Sequence, residues 1–510
     1  MPESNSLKNI CLHAHFYQPP RENPWTGEVE RHPSAHPFSN WNERIAAESY
    51  IPNTDVSIFD RNGNLVEHIN NYEYISFNFG PTLFSWIEKE RPKLYKRIVE
   101  ADRGGRRRFS GHGGAIAQPY NHIIMPLANR RDKRTQVIWG IKDFEYRFGR
   151  PPEGMWLPET AVDSETLEIM AEEGILFTIL APRQAKRIRR IGDAIWREVE
   201  DEGEVSRRPY MVSLPSGKKI SIFFYDGPLS HGVAFGDTLN NGDSLAESLI
   251  QNLHLENQTP EIISLATDGE TYGHHHKFGD KALAYAIRHI RDDKRCCLTV
   301  YGDYLAKYPP EDEVEIIENS SWSCEHGVER WRDDCGCSTG RDGSWNQGWR
   351  KGLRETLDWL RDRLIDVYEK KVSLYMSDPW EGHDNYISVI LRGAAGISDN
   401  QMFARLSEGD RENMIECLEM QRYAMFMYTS CGWFFDDISR VETIQIIRYA
   451  TKAVSLAAEL GESAIEAEFL ERLRGIVGNR PEVPNGEVLY NIYVKPLIDN
   501  RRDTTFEYFD

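Results

Sequence analysis

The sequence predicts an α/β fold, a parallel barrel or doubly wound sheet, followed by a helical bundle. Three observations predict it. Apolar strands alternate with helical patterns across roughly 300 residues. Polar residues stand at the C-terminal ends of those strands, the edge that carries chemistry in parallel α/β folds. After about residue 345 only helical periodicity remains.

Along the chain, KNICLHAHFYQ reads as a buried strand over residues 8–16 that delivers His13 and His15 with the same parity, so to one face. Residues 18–70, rich in Pro, Asn and Trp, read as irregular. YEYISFNFGPTLFSWIEKE reads as strand, turn and helix, with Pro81 in the first helical turn. The Gly-rich stretch GHGGAIAQPYNHIIMPL carries His112, Gln118, Asn121 and His122, and RTQVIWGIKDFEYRFG is a helix by its spacing. GMWLPE follows, ending on Glu159 beside Trp156, Leu157 and Pro158. A helix opened by Asp163 and Ser164 comes next, then the strands LFTILA, KKISIFFYD ending on Asp226, and EIISLATDGE ending on Asp268. KALAYAIRHIRD reads as a helix and CCLTVY as a strand. The expected domains are a catalytic barrel over 1–345, a helical domain over 346–477 that contributes to the cleft, and an irregular tail over 478–510.

Composition narrows the function. The net charge of −19 argues against nucleic-acid or anionic-membrane partners, which require clustered Lys and Arg. The basic run Arg103–Arg108 is the exception and reads as a solvated loop. Thirteen Trp and 23 Tyr lean toward a carbohydrate partner. MPESNSLKNICLHAHFY lacks the pattern of a secretory signal, and no stretch approaches the ~20 apolar residues that span a bilayer, so a cytoplasmic location is expected. Eight Cys suit that compartment as thiols or metal ligands.

Two strand-end carboxylates, Glu159 and Asp268, are the equipment for breaking an acetal: one ionised, the other protonated by an apolar wall or by its neighbour's charge. On spacing alone, Glu159 could also cap the following helix and Asp268 could be a turn residue. His13 and His15 could be core histidines, or could chelate zinc together with Asp268 or His274.

The chain resembles glycoside hydrolase family 57. HAHFYQPP resembles that family's first signature, GHGGAIAQPYNHIIMPL its second, GMWLPE its third, TDGETYGHH its fourth and SWSCEHGVERW…GSWNQGWR its fifth. TSCGWFFDDIS resembles the segment that reaches the active site from the helical domain. The branch it resembles has an HFYQPP start and a cysteine-bearing fifth signature. The resemblance implies a (β/α)7-type distorted barrel followed by a helical bundle. It also implies retaining hydrolysis or transglycosylation of an α-linked glucan or related oligosaccharide, of the amylase, glucanotransferase or branching type. It assigns Glu159 as nucleophile and Asp268 as acid/base, and His13, His15, Trp156, Glu270, Tyr272, His274, Trp322, Trp433, Asp436 and Asp437 as substrate positions. The two catalytic carboxyls are expected about 5–5.5 Å apart. The second signature departs from the family, with Gly114 where a glutamate is usual.

No cofactor is required by this chemistry. Cys324, Cys335 and Cys337, with Cys431 as a fourth, are a candidate structural zinc or iron–sulfur site; the other reading is reduced thiols on a loop. Two rival functions remain, a zinc-dependent hydrolase or deacetylase of related architecture and a non-catalytic glycan-binding protein.

Overall fold

A computed structural model describes residues 8–340 and 343–499. It divides into two compact units. The first runs to Gln18 and continues through Ala35–Pro119 and Phe144–Trp322; the second comprises Pro19–Ser34, Tyr120–Asp143 and the chain from Ser323 onward.

The first unit is built around its first strand, Lys8–Phe16, which is buried along its whole length. Burial on both faces is what a central parallel strand requires, and it explains the near-continuous apolar run. This strand pairs in parallel with Glu261–Asp268 on one side and with Ser76–Phe79 on the other. From there the sheet continues through two segments too short to form extended ladders. Phe77 N donates to Gly114 O (2.9 Å), Ala117 N to Gly154 O (2.9 Å) and Met155 N to Phe177 O (3.1 Å). Strand Phe177–Leu180 then pairs in parallel with Lys219–Phe224. Asp226 N donates to Ser264 O (2.8 Å) and returns the sheet to Glu261–Asp268. These seven staves, two of them reduced to single bridges, make the distorted barrel that the resemblance implies. A mixed extension, strands Tyr210–Ser213, Asp312–Ile316, Ala185–Arg190 and Arg197–Glu198, grows from the Lys219–Phe224 strand; its pairs are antiparallel except that of Asp312–Ile316 with Tyr210–Ser213, which is parallel.

Local chemistry sets the helix ends. Pro81 opens Pro81–Glu90 at a position where a missing N–H costs nothing. Asp163 accepts from the backbone N–H of Thr166 and caps Ser164–Glu172. Helix Gly279–Asp292 buries Leu283, Ala286, Ile287 and Ile290 at helical spacing.

The second unit is helical. Trp349–Val372, Glu408–Phe426 and Val441–Glu459 are its long members, each burying an apolar stripe. Segment 19–34 joins it through Gln445 Nε2 to Glu22 O (2.8 Å) and Arg448 to Glu30 (3.2 Å). Segment 120–143 joins it through His122 Nδ1, 2.6 Å from Ser430 Oγ.

Several expectations are corrected. The unit boundary falls at Trp322/Ser323, before residue 345, because the cysteine-rich loop packs with the helices. The 478–510 tail contains helices Gly486–Tyr493 and Lys495–Ile498, while residues 500–510 lie outside the described residues. The basic run ends helix Pro92–Arg108 and is not a loop. CCLTVY keeps only Cys297–Leu298 as strand before a helix begins at Tyr301. Segment 18–70 contains a helical stretch, Trp41–Tyr50, and a hairpin, Val56–Phe59 with Leu65–Ile69. Among the described residues no helix is long and apolar enough to cross a membrane.

Candidate active site

Polar residues gather at the C-terminal edge of the barrel strands. His13 and His15 pair in register with Ser76 and Asn78, and His15 lies directly beside Asp268 on the neighbouring strand. His13 Nδ1 is 3.0 Å from Ser76 Oγ, and Asn78 Nδ2 lies 2.9 Å from His15 Nδ1 and donates to Gln118 Oε1 at 2.7 Å. Burial pushes both imidazoles down to about 3, so they are neutral across the physiological range. Both rings stack on Trp156, with centroids 4.8 and 5.2 Å away.

Trp156 leads into Glu159, whose backbone is left-handed at φ 56°, as is that of Thr160 at φ 50°. Two consecutive non-glycine residues in this region store strain of order 1–3 kcal/mol each, which the surroundings must overcome. Gln184 does so: its side chain accepts from Thr160 Oγ1 (2.8 Å) and donates to Thr160 O (2.9 Å). The Glu159 carboxylate accepts from Trp322 Nε1 at 2.9 Å, and its carbonyl accepts from Trp322 N at 3.0 Å.

Asp268 is open to solvent on one side and crowded by protein on the others. It receives no hydrogen bond from the described residues. Burial, and then the charge of Glu159, push its carboxyl up to about 7. One acid is therefore held as an acceptor while its neighbour is poised to hold a proton near neutrality. Around them three buried polar atoms, His13 Nε2, Trp156 Nε1 and Gln118 Nε2, find no partner among the described residues. Orphaned buried polar groups are uncommon and mark places where a polar ligand completes the network.

The model for glycosyl hydrolase family 57 matches residues 12–317, more than half of the chain. The chain belongs to glycosyl hydrolase family 57. A second model, described as a domain of unknown function (DUF3536), matches residues 345–508. The chain is 29% identical over 203 residues to alpha-amylase 1 of Dictyoglomus thermophilum, covering 39% of this chain and 26% of that one. It is 22% identical over 262 residues to an alpha-amylase of Pyrococcus horikoshii, covering 49% and 37%. The chain thus aligns with well under half the length of either amylase. An exo-type maltose-forming amylase from Pyrococcus sp. ST04 shares the fold with a TM-score of 0.70 at 15% identity, over 98% of this chain and 94% of that one. A branching enzyme from Thermococcus kodakaraensis does so with a TM-score of 0.57 at 15% identity, over 94% and 97%.

Of the family positions expected to meet substrate, His13, His15, Trp156 and Trp322 assemble around Glu159 and Asp268. The others have contacts of their own. One Glu270 oxygen accepts from Tyr17 N (3.1 Å) and from Tyr50 Oη, fastening the end of the first strand. Burial, opposed by the Tyr50 bond and helped by the charge of Asp268, pushes the Glu270 carboxyl up to about 8. Tyr272 is buried and among the described residues its hydroxyl meets only Thr267 Oγ1, at 3.4 Å. His274 pairs with Glu48 and packs edge-on against Trp41. In the helical unit, Trp433 is fully buried against Arg354, and Asp436 and Asp437 are bound within that unit by Thr339, and by Ser439 and Asn479, respectively. The alternative of zinc at His13 and His15 with Asp268 or His274 finds no ligand group among the described residues. These side chains do not converge as a ligand set; the one convergent group among the described residues is Cys324, His326, Cys335 and Cys337, which excludes Cys431.

The Gly114 departure has a steric cause: a Cβ there would lie 2.3 Å from Ile75 O, so no side chain fits between these staves. Ser76, Asn78, Gln118 and Gln184 were missed as site residues. The alternation in SFNF, polar at 76 and 78 and aromatic at 77 and 79, was the available signal for the first two.

Proposed function

We propose that this chain acts on α-linked glucans or related oligosaccharides by double displacement, as a retaining hydrolase or transglycosylase. The observation that carries the reading is the inequality of the two acids: Asp268 raised to about 7 beside Glu159, which Trp322 holds as a hydrogen-bond acceptor. Asp268 donates its proton to the glycosidic oxygen as Glu159 attacks the anomeric carbon. The leaving sugar departs with that proton, and a glycosyl ester remains on Glu159. Asp268, now a carboxylate, removes a proton from water or a sugar hydroxyl. That oxygen attacks the anomeric carbon, the ester bond breaks and Glu159 is regenerated. The orphaned atoms of His13, Trp156 and Gln118 suit the hydroxyls of the sugar ring. The substrate class is supported by the names of the similar proteins, which include amylases, a branching enzyme and a 4-alpha-glucanotransferase. A cytoplasmic location belongs to the same reading, because a cluster of thiols suits a reducing compartment.

The test is stereochemical. Chromatography of products from α-glucans and aryl α-glycosides establishes the wild-type reaction. Glu159→Ala should lose turnover and regain it with azide, giving a glycosyl azide of inverted configuration. Asp268→Ala should still cleave substrates with good leaving groups, accumulate the ester, and release it to azide with retained configuration. If both variants keep near-normal rates on every substrate, neither acid is catalytic. If the wild type binds glucans and cleaves none, the protein is a glycan-binding module.

A further inference from the structure

The fifth-signature loop carries a group of donors that the proposed glycosidic chemistry does not use. The thiols of Cys324, Cys335 and Cys337 and one ring nitrogen of His326 all lie within 4.8 Å of one another. Cys324 Sγ is 4.0 Å from Cys335 Sγ and 3.8 Å from Cys337 Sγ, and Cys337 Sγ is 3.5 Å from His326 Nδ1. These sulfurs are too far apart for a disulfide, whose bond is about 2.05 Å long. They have the separations of ligands around one ion. With metal–sulfur bonds of about 2.3 Å and metal–nitrogen bonds of about 2.0–2.1 Å, a tetrahedron has S···S edges of roughly 3.8 Å and S···N edges of roughly 3.6 Å. An iron–sulfur cluster spreads its protein ligands over two or more irons, so its four donors could not all lie this close to one another.

A second observation is independent of the donors. Arg330 and Arg350 are buried, at 6% and 0% exposure, and neither forms an ion pair with a carboxylate among the described residues. Both bind the backbone of this loop. Arg330 donates to Ser323 O (3.0 Å) and Ser338 O (3.3 Å), and Arg350 donates to Cys337 O through both terminal nitrogens (3.1 Å each). Arg350 also donates to Phe434 O (3.3 Å) and Phe435 O (3.0 Å). The charge of Asp436 reaches Arg350, but that carboxylate is bound by Thr339, and buried cations with no direct ion pair are costly. A divalent ion held by three thiolates and a neutral imidazole carries one net negative charge, and it would add counter-charge beside both guanidinium groups. The loop is otherwise short of regular structure: among the described residues between Trp322 and Trp349 the only helical piece is the single turn Glu329–Trp331. Gly336, between two of the cysteines, turns at φ +76°, where glycine meets no steric penalty.

We propose that Cys324, His326, Cys335 and Cys337 form a Cys3His site for one structural zinc ion. The ion ties the cysteine loop into the helical unit. Cys431, expected from the sequence as the fourth ligand, is outside it. The half-exposed thiols of Cys335 and Cys337 and the exposed histidine leave the ion a path of entry.

Elemental analysis of the full chain, purified without chelator and with any affinity tag removed, should find about one zinc per chain. Zinc stripped by a mercurial thiol reagent and then restored after thiol reduction should be recovered with the same stoichiometry in competition with a chromophoric chelator. Cobalt(II) in its place should give thiolate-to-cobalt charge-transfer absorption and the intense visible bands of a tetrahedral centre. Cys335→Ser and Cys337→Ser should each lose the ion, His326→Ala should weaken binding at least about tenfold, and His326→Cys should keep it. Cys431→Ser should keep it with unchanged affinity. Far-UV circular dichroism checks that each variant folds; where a cysteine variant does not, the cobalt spectrum and chelator competition of the wild type decide. Absence of stoichiometric metal from wild type, with these three thiols reacting at once with a disulfide reagent, overturns the proposal. So does stoichiometric iron in place of zinc, or zinc retained by folded Cys335→Ser and Cys337→Ser.

Discussion

Two pairs of acids in this chain have similar sequence credentials and opposite fates. Asp436 and Asp437, in the helical unit, sit in an apolar run beside Trp433, just as Glu159 sits beside Trp156. Asp436 accepts from Thr339 N and Oγ1, and Asp437 accepts from Ser439 N and Oγ and from Asn479 N. Asp268 receives nothing from the described residues and has its proton affinity raised by burial and by Glu159. A buried carboxylate surrounded by donors is finished as a structural element. One that is crowded, open on one side and short of donors is held in a state that only a reaction partner resolves.

The largest effect should separate the pairs most sharply. Asp268→Asn should lower kcat/KM on unactivated glucans by about 10²–10⁴-fold, the usual contribution of a positioned acid/base. Its stability should move the other way. Because the folded-state affinity for the proton is raised from 3.8 to about 7, the wild-type carboxyl's contribution is fully present below 3.8 and is lost as pH rises through 7. The asparagine variant should therefore match wild type in thermal melts at pH 4 and exceed it at pH 8. A variant that loses activity and also melts lower at pH 8 would remove the distinction.

Trp322→Phe keeps the ring and deletes the donor to Glu159. Steady-state kinetics should show kcat lowered by roughly tenfold to a hundredfold, less than the 10²–10³ typical of a donor aimed at developing charge, because this bond already exists in the ground state. An unchanged kcat would mean that Glu159 is held by other contacts.

Asp437→Ala is the counterpart in the other pair. It strands the buried donors of Ser439 and Asn479, and urea unfolding should report a loss of about 2–4 kcal/mol. Activity per folded molecule should stay within about twofold, since the mechanism makes no use of this acid. A fall comparable to that of Asp268→Asn would return Asp437 to the substrate site.

The smallest effect is expected at Tyr272, which the family resemblance had placed against substrate. Tyr272→Phe removes one long contact to Thr267, so stability should change by less than about 1 kcal/mol, with kcat and KM unchanged. A raised KM would show that the hydroxyl meets the sugar.

Much of the site was legible because its signals are local. A strand's parity sends His13 and His15 to one face, and an apolar run ending in an acid marks a strand end, so Glu159 and Asp268 could be named from the linear order alone. The residues that complete the site were not legible. Gln118 reaches Asn78, and Gln184 holds the left-handed turn at Thr160, across contacts between staves distant in sequence. The cysteine loop shows the same limit. Three of its donors stood out by residue type, but the sequence offered Cys431 as the fourth, and only the chain's path placed His326 within 4.8 Å of the rest.

What the sequence by itself determined is the order of most elements, the barrel edge where polar residues gather and the two candidate acids on it, because strand parity, capping and turn formation act over a few residues. Tertiary structure alone decided which acids are short of donors, which glycine leaves no room for a side chain, and which histidine joins the cysteines. Those outcomes depend on burial and on hydrogen-bond partners that meet only when the strands and helices pack.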